Sequence, residues 1–377
     1  MRPERRKMKI DTKKMVLFVA IAYGITYLMG IFMFIGVGRE IDLSCFANAQ
    51  MMYPAAGVIL GKLIFDAKDI KLPKAFYVAF LVTTLAMMAI SFVSFAAPLE
   101  PINLMGMMTI DVYNLASQYI LMAGGIVMYI TQWACGKQKR FNAGLTRRNI
   151  KLSIAMVALY LALYIGRFVV ALLMDGIAMG DTFGSLTEWV KSLGNVTTLS
   201  TLLMLPFSFV MVFPAFFGEE YGWRYFLQPA MMKKFGPRGG VLLLGVVWGL
   251  WHLPMDFCFY TTETGLQMQV NQIVTCVCLG IFFAYAYLKT QNFWVPVIIH
   301  YLNNNLIPVL AGNYSADVIQ NQHIEWVQLP INLILSLGFA AFIFSKEFSK
   351  KRIAEKEEKL AVEAKAFEAP QAAAANE

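Results

Sequence analysis

Ten apolar stretches of about twenty residues each, separated by short polar loops, constrain this chain more than any other feature. They run roughly over 15–37, 45–65, 75–97, 113–135, 152–174, 197–217, 240–260, 267–288, 293–311 and 327–345. A helix rises about 1.5 Å per residue, so ~20 residues cross the ~30 Å hydrocarbon core of a bilayer. The fold class expected is therefore all-α, a polytopic transmembrane bundle of about ten spans. A soluble chain of 377 residues would form two or three domains, but 58% hydrophobic and 15% charged content with a mean hydropathy of +0.57 exclude that class. The first stretch follows the basic segment MRPERRKMKIDTKK and, at ~35 Å of helix, is too long for a signal-peptide core. It reads as a retained span.

The loops test this count, because cytoplasmic loops collect Lys and Arg. Basic and non-basic loops alternate: 66–74 holds Lys68, Lys71 and Lys74, 98–112 holds no Lys or Arg, and 136–151 holds six of them. Then 175–196 has Lys191 alone, 218–239 has Arg224, Lys233, Lys234 and Arg238, 261–266 and 312–326 have none, and the tail opens SKEFSKKR. Both termini are expected in the cytoplasm, and the cell membrane is the expected location. The net charge of +8 is accounted for by these loops, so no nucleic-acid partner is expected. Cys45, Cys135, Cys258, Cys276 and Cys278 are odd in number and scattered through apolar sequence, which fits neither a disulfide framework nor a zinc ribbon. They read as small buried hydrophobes.

Ionisable groups at membrane depth cost about 2.5–3.5 kcal/mol each on insertion scales and mark function by default. Here they are Arg167, Glu219, Glu220, Arg224, His252, Asp256 and His300, with the amide run Asn303, Asn304 and Asn305. Glu220 and Arg224 are four apart, on one helix face in the favourable acid-before-base order. One carboxylate of the Glu219–Glu220 pair is thus anchored and the other left for chemistry, although an ordinary ion pair at a helix end is the plainer reading. His252 has Trp248 one turn before it and Pro254 two residues after, a proline that tends to kink a span and open space beside the imidazole. His300 shares a face with Asn304. Each motif alone also fits packing or helix-joining hydrogen bonds. Two of only three histidines fall in this part of the chain, which favours a joint functional site. Arg167 is expected to pair with Asp175 or Glu219, and Asp256 is a secondary candidate for orienting the His252 ring.

The ordered set Glu219-Glu220-x-x-x-Arg224, Trp248-x-x-x-His252 and His300-x-x-x-Asn304 resembles the CPBP family of CAAX-protease and bacteriocin-processing membrane enzymes, which includes the type II CAAX prenyl protease. The resemblance covers about 195–312. It implies an intramembrane endopeptidase in which Glu219 and His252 activate water, His300 and Asn304 form the oxyanion site, and Glu220 and Arg224 hold the site in shape. Trp248 stands where Phe is commoner in the family. The implied substrate is a prenylated protein or another membrane-associated peptide or peptide precursor. Residues 1–14 then read as a basic cytoplasmic N-terminus, 15–150 as N-terminal spans of no derivable function, 151–345 as the CAAX-protease-like core and 346–377 as a charged, partly disordered cytoplasmic tail.

Amide hydrolysis needs a base for water, an acid for the leaving amine and donors for the oxyanion, and these residue types supply all three. Zinc held by Glu219, His252 and His300 is the alternative means of activating water. The chain has no HExxH, and metal-independent glutamate chemistry, with no cofactor required, is favoured. Counted along the helices, the depths do not coincide: His252 lies ~18 Å beyond Gly240, whereas Glu219 falls near the cytoplasmic edge. Either Pro206 and Pro214 break the sixth span and let the carboxylates sit deeper, or Gly239–Gly240 is itself embedded. Two other classes remain open: a transporter using the same residues as a proton relay, although no internal repeat is found, and a non-catalytic immunity or scaffold protein.

Overall fold

The computed structural model describes residues 11–104, 108–314 and 318–374, so most of the basic N-terminal segment lies outside the described residues. Each of the ten apolar stretches is helical, but their lengths differ from expectation. The first is one helix, α1 (Thr12–Val37), with a π-helical turn at Ala20–Ile25. The second is split into α2 (Ser44–Gln50) and α3 (Tyr53–Phe65) just before Pro54, whose missing N–H suits the first turn of a new helix. Then come α4 (Lys74–Ala96), a two-stranded antiparallel hairpin of β1 (Ile102–Leu104) and β2 (Met108–Ile110), α5 (Val112–Ala134) and α6 (Lys137–Asn142). The second half contains α7 (Ile150–Ala178), α8 (Gly184–Ser192) and α9 (Val196–Phe235), the last 40 residues long. After it come α10 (Pro237–Trp251), α11 (Leu253–Cys258), α12 (Gly265–Thr290), α13 (Trp294–Asn305), α14 (Ile307–Ala311), α15 (Gln328–Phe344) and α16 (Lys350–Ala374).

Among the described residues, five helices are long and apolar enough to cross a membrane: α1, α4, α7, α9 and α12. The other expected crossings are broken, shorter, or, in α5, diluted by Asn114, Gln118 and Gln132. The burial pattern is that of a chain solvated by lipid. Large apolar side chains such as Phe34, Leu203, Phe207 and Ile334 face outward, while Glu219, Glu220, Arg224, His252 and His300 are buried.

Helix α9 is the axis of the bundle. It packs against α5 on one side and α3 and α13 on the other, while α10 lies along α12 and α11 crosses α1. Gly218 and Gly222 allow the closest of these approaches. A Cβ on Gly218 would lie 2.3 Å from the Met51 carbonyl oxygen, and one on Gly222 would lie 2.3 Å from Pro54 Cβ, so α9 is seated directly on the break between α2 and α3. Around it Phe217, Tyr221 and Tyr225 stack at 4.8 and 4.5 Å between successive ring centroids. Tyr221 hydrogen-bonds the Tyr77 hydroxyl (2.7 Å) and the Ala143 carbonyl (2.9 Å), tying α9 to α4 and to the loop after α6.

The tail is helical through Ala374 and is attached to the body at its start. Glu347, 1% exposed, pairs with Lys289 at 3.2 Å, with Arg352 at 3.6 Å and with Lys356, and Arg148 meets Glu363 at 2.5 Å. Burial alone would push the Glu347 carboxyl up, but the hydrogen bonds and charges of Lys356 and Lys289 outweigh it and hold this group below the ordinary carboxylate value.

Candidate functional site

The depth mismatch along the helices disappears because α9 does not end near residue 217. Pro206 and Pro214 leave it unbroken, and it continues to Phe235. Glu219 therefore lies ~24 Å of helix from the C-terminal end rather than at an edge. Gly240 is buried against the end of α9, and Gly239 beside it is exposed. Directly after Glu220 the helix widens into a π-helical turn, Tyr221–Leu227, which closes just before Pro229. Wide turns of this kind recur at functional sites, where they re-aim side chains without ending the helix.

Trp248 joins the first two motifs. Its Nε1–H donates to Glu219 Oε2 at 2.8 Å, and its carbonyl accepts from His252 Nδ1 at 2.9 Å. A carbonyl only accepts, so the proton of neutral His252 resides on Nδ1 and the Nε2 lone pair is left for a water or substrate proton. Glu219 Oε1 has no protein hydrogen bond among the described residues, so one oxygen of this carboxylate is held and the other is available.

Glu220 joins the third motif. His300 Nδ1 donates to Glu220 Oε1 at 2.9 Å, and Arg224 Nε lies 3.0 Å from Glu220 Oε2. The Arg224 contact is an ion pair out of hydrogen-bond alignment, and none of the three guanidinium nitrogens finds a hydrogen-bond acceptor. Its remaining support is aromatic: the guanidinium carbon sits 4.7 Å from the Trp248 ring centre and 5.4 Å from that of Phe283. Trp248 also meets the His300 ring edge-on at 5.6 Å. The two carboxylates thus have different surroundings. Glu220 is committed to a histidine and an arginine, and Glu219 to a single indole N–H.

His252 itself occupies the break between α10 and α11, and Pro254 is the reason for it. Proline has no N–H to give to the Leu250 carbonyl, and the helix opens at the preceding turn. Side chains from distant segments reach the carbonyls in and around this break, that of Gly249 in addition to its bond from the His252 N–H (3.0 Å). Tyr27 donates to Leu250 (3.1 Å), Gln50 to Trp251 (3.2 Å), Gln269 to Gly249 (3.0 Å) and Tyr23 to Val247 (2.5 Å). In return Trp251 Nε1 donates to the Ala22 carbonyl at 2.8 Å, within the π-helical turn of α1. The N-terminal spans, for which the sequence offered no purpose, hold this opened backbone.

Asn304 is not bonded to this cluster. It lies one turn beyond His300, half-buried, in the wall of a cavity of about 490 Å³ that Ser200, Thr201, Ser208, Tyr301 and Asn305 also line. Arg167 pairs with neither Asp175 nor Glu219: it forms no ion pair among the described residues, and Asp175 accepts from Ser185 instead (3.2 Å). Asp256 is fully buried, but its carboxylate oxygens hydrogen-bond nothing among the described residues and do not orient His252. The five cysteines are free, four of them buried.

A metal would need the two Nε2 atoms and a carboxylate to converge. The Nδ1 bonds of both histidines, to a carbonyl and to a carboxylate, are of the kind that orients metal ligands. Yet among the described residues no three His, Cys, Asp or Glu side chains are disposed to hold an ion.

Fold and site together define a predominantly helical integral membrane protein with a buried glutamate–histidine centre. Residues 201–306, which contain all three motifs, match the family described as Type II CAAX prenyl endopeptidase Rce1-like, and the resemblance read from those motifs holds over that segment. The chain is also similar to CAAX prenyl protease 2 of Methanococcus maripaludis, at 25% identity over 122 residues. That alignment covers 31% of this chain and 45% of the relative, less than half the relative's length.

Missed by sequence reasoning were Tyr23, Tyr27 and Gln50, and also Tyr160 and Tyr164 on α7. Their only signal was a polar atom inside an apolar span, which many structural tyrosines share.

Proposed function

We propose that this protein is an intramembrane endopeptidase that hydrolyses a peptide bond in a membrane-associated substrate, with Glu219 as the base that activates water. The carrying observation is the Trp248 bridge, which brings Glu219 and His252 to one buried site within the segment that matches the endopeptidase family. Water held between Glu219 and His252 Nε2 gives a proton to Glu219 as its oxygen adds to the scissile carbonyl carbon. The oxyanion is met by Nε2–H of a doubly protonated His300, whose Nδ1–H is already taken by Glu220, and by the Asn304 amide N–H. The proton on Glu219 passes to the leaving nitrogen as the C–N bond breaks. A carboxylic acid and an amine leave, and Glu219 is again ionised.

The family's printed activity supports a prenylated protein as substrate, and a membrane-bound peptide precursor presents the same amide to the same site. Loop charge supports about ten crossings with both termini, and the mouth of the site, on the cytoplasmic side of the cell membrane. Cleavage by the full chain in reconstituted vesicles tests the assignment. Glu219→Ala and His252→Ala should each lower kcat by at least about 100-fold. Full activity in both variants contradicts it, as does proton-coupled uptake without cleavage. Metal-stripped protein should keep cleaving, whereas loss of activity restored by zinc alone would reverse the metal-free reading.

A further inference from the structure

The chain has three consecutive amides, and the proposed mechanism uses one of them. An asparagine side chain is nearly symmetric in shape, so Asn304 can turn either its N–H donors or its oxygen towards a developing oxyanion. Only the first orientation stabilises the negative charge, and a flipped amide opposes it.

Asn303 Nδ2 donates to Asn304 Oδ1 at 3.0 Å. With that oxygen engaged, the Asn304 N–H₂ group is directed along the opposite edge of the planar amide. Asn303 is held in turn by α7: the Tyr160 hydroxyl donates to Asn303 Oδ1 at 2.8 Å, and the Tyr164 hydroxyl donates to the Asn303 main-chain carbonyl at 2.9 Å. The two tyrosines are one turn apart with rings stacked at 5.4 Å, and Tyr160 is fully buried against Phe282 and Phe339. A phenol donates better than it accepts, so Tyr160 selects the sense of Asn303, and Asn303 passes it to Asn304.

We infer that Tyr160 and Asn303 are positioning residues for the proposed hydrolysis: a one-way hydrogen-bond chain from α7 to α13 that keeps the Asn304 N–H₂ group facing the substrate carbonyl. The inference rests on the proposed function, in which Asn304 is an oxyanion donor. It gives α7, outside the segment that matches the family, a part in the reaction.

Steady-state cleavage by the full chain in vesicles tests it. Asn304→Ala should lower kcat about 100-fold, in the range lost with one oxyanion donor. Tyr160→Phe removes one hydroxyl and should lower kcat about 10-fold with KM unchanged, and Asn303→Asp, which keeps the acceptor but loses the donor, should do the same. In the Asn304→Ala background Tyr160→Phe should cost nothing further, because its effect passes through Asn304. Tyr164→Phe, which loses only the main-chain contact, should change kcat less than 2-fold. An equal loss from Tyr160→Phe in both backgrounds would make its role merely structural and overturn the inference. So would an unchanged kcat in Tyr160→Phe while cleavage still depends on Glu219. Cleavage indifferent to Glu219→Ala would instead bring down the protease reading, and the inference with it.

Discussion

At the residue scale, the contrast between the adjacent glutamates is the informative feature. Glu220 is fully buried beside Arg224, which is also fully buried and has no other charged partner among the described residues. Removing one member of such a pair leaves the other charge stranded, at about 3–5 kcal/mol. Arg224→Leu should therefore cost roughly that much stability, measured as denaturant unfolding in detergent, and Arg224→Lys should recover little, because an ammonium cannot lie flat between Trp248 and Phe283. The double variant Glu220→Gln with Arg224→Leu should lose less than the two single losses added together, since the Glu220–Arg224 pair is then removed as a unit. Glu219 carries no such burden. Glu219→Gln should unfold at the wild-type midpoint while cleavage is lost, a separation of stability from activity that Glu220 variants will not reproduce.

At the element scale, the opened turn at His252 shows what was readable and what was not. Pro254 pointed to a kink beside His252, and the structure has one, because a missing N–H is a local property of the sequence. The carbonyls of Leu250 and Trp251 at this kink are met by Tyr27 and Gln50, 223 and 201 positions away from their partners, and Gln269, 20 positions away, adds a bond to the Gly249 carbonyl. No local pattern encodes such pairings. Gln50→Leu should leave the Trp251 carbonyl buried and unpaired, at about 1–3 kcal/mol, and should lower kcat by loosening His252. Tyr27→Phe, at a more exposed contact, should cost less on both measures. Helix length was misjudged for a related reason. The charged and glycine-containing segment GEEYGWR reads as the end of a span, yet inside the bundle Glu220 and Arg224 pair and its glycines seat α9 on the α2–α3 break, so the helix continues. The three motifs, by contrast, were legible, because each is a spacing of about one helical turn between residues close in the chain.

For the whole molecule, the unequal division of the chain has a physical account. Residues 201–306 contain the motifs, but the backbone around His252 is completed by α1 and α2, and the amide run by α7. A fragment restricted to the matched segment would leave several buried carbonyls unpaired and should not cleave. At the start of the tail, Glu347 gathers three cations and fastens the tail helix. Its carboxyl is held below the ordinary value of 4.5, so the attachment is at full strength above that pH and is lost as pH falls through the lower folded value. Protection of the amides over 350–360, taken relative to their intrinsic exchange rate at each pH, should fall in that acid window and stay high at neutral pH. Glu347→Gln should show low protection at both.

The central claim is that one buried glutamate activates water in a membrane-embedded peptidase. Its most direct test is mass spectrometry of a prenylated C-terminal peptide after incubation with vesicles containing the full chain or its Glu219→Gln variant, each first shown to be folded. The account predicts a single new carboxyl terminus with wild-type protein and no product above background with Glu219→Gln. Equal product from both would contradict it.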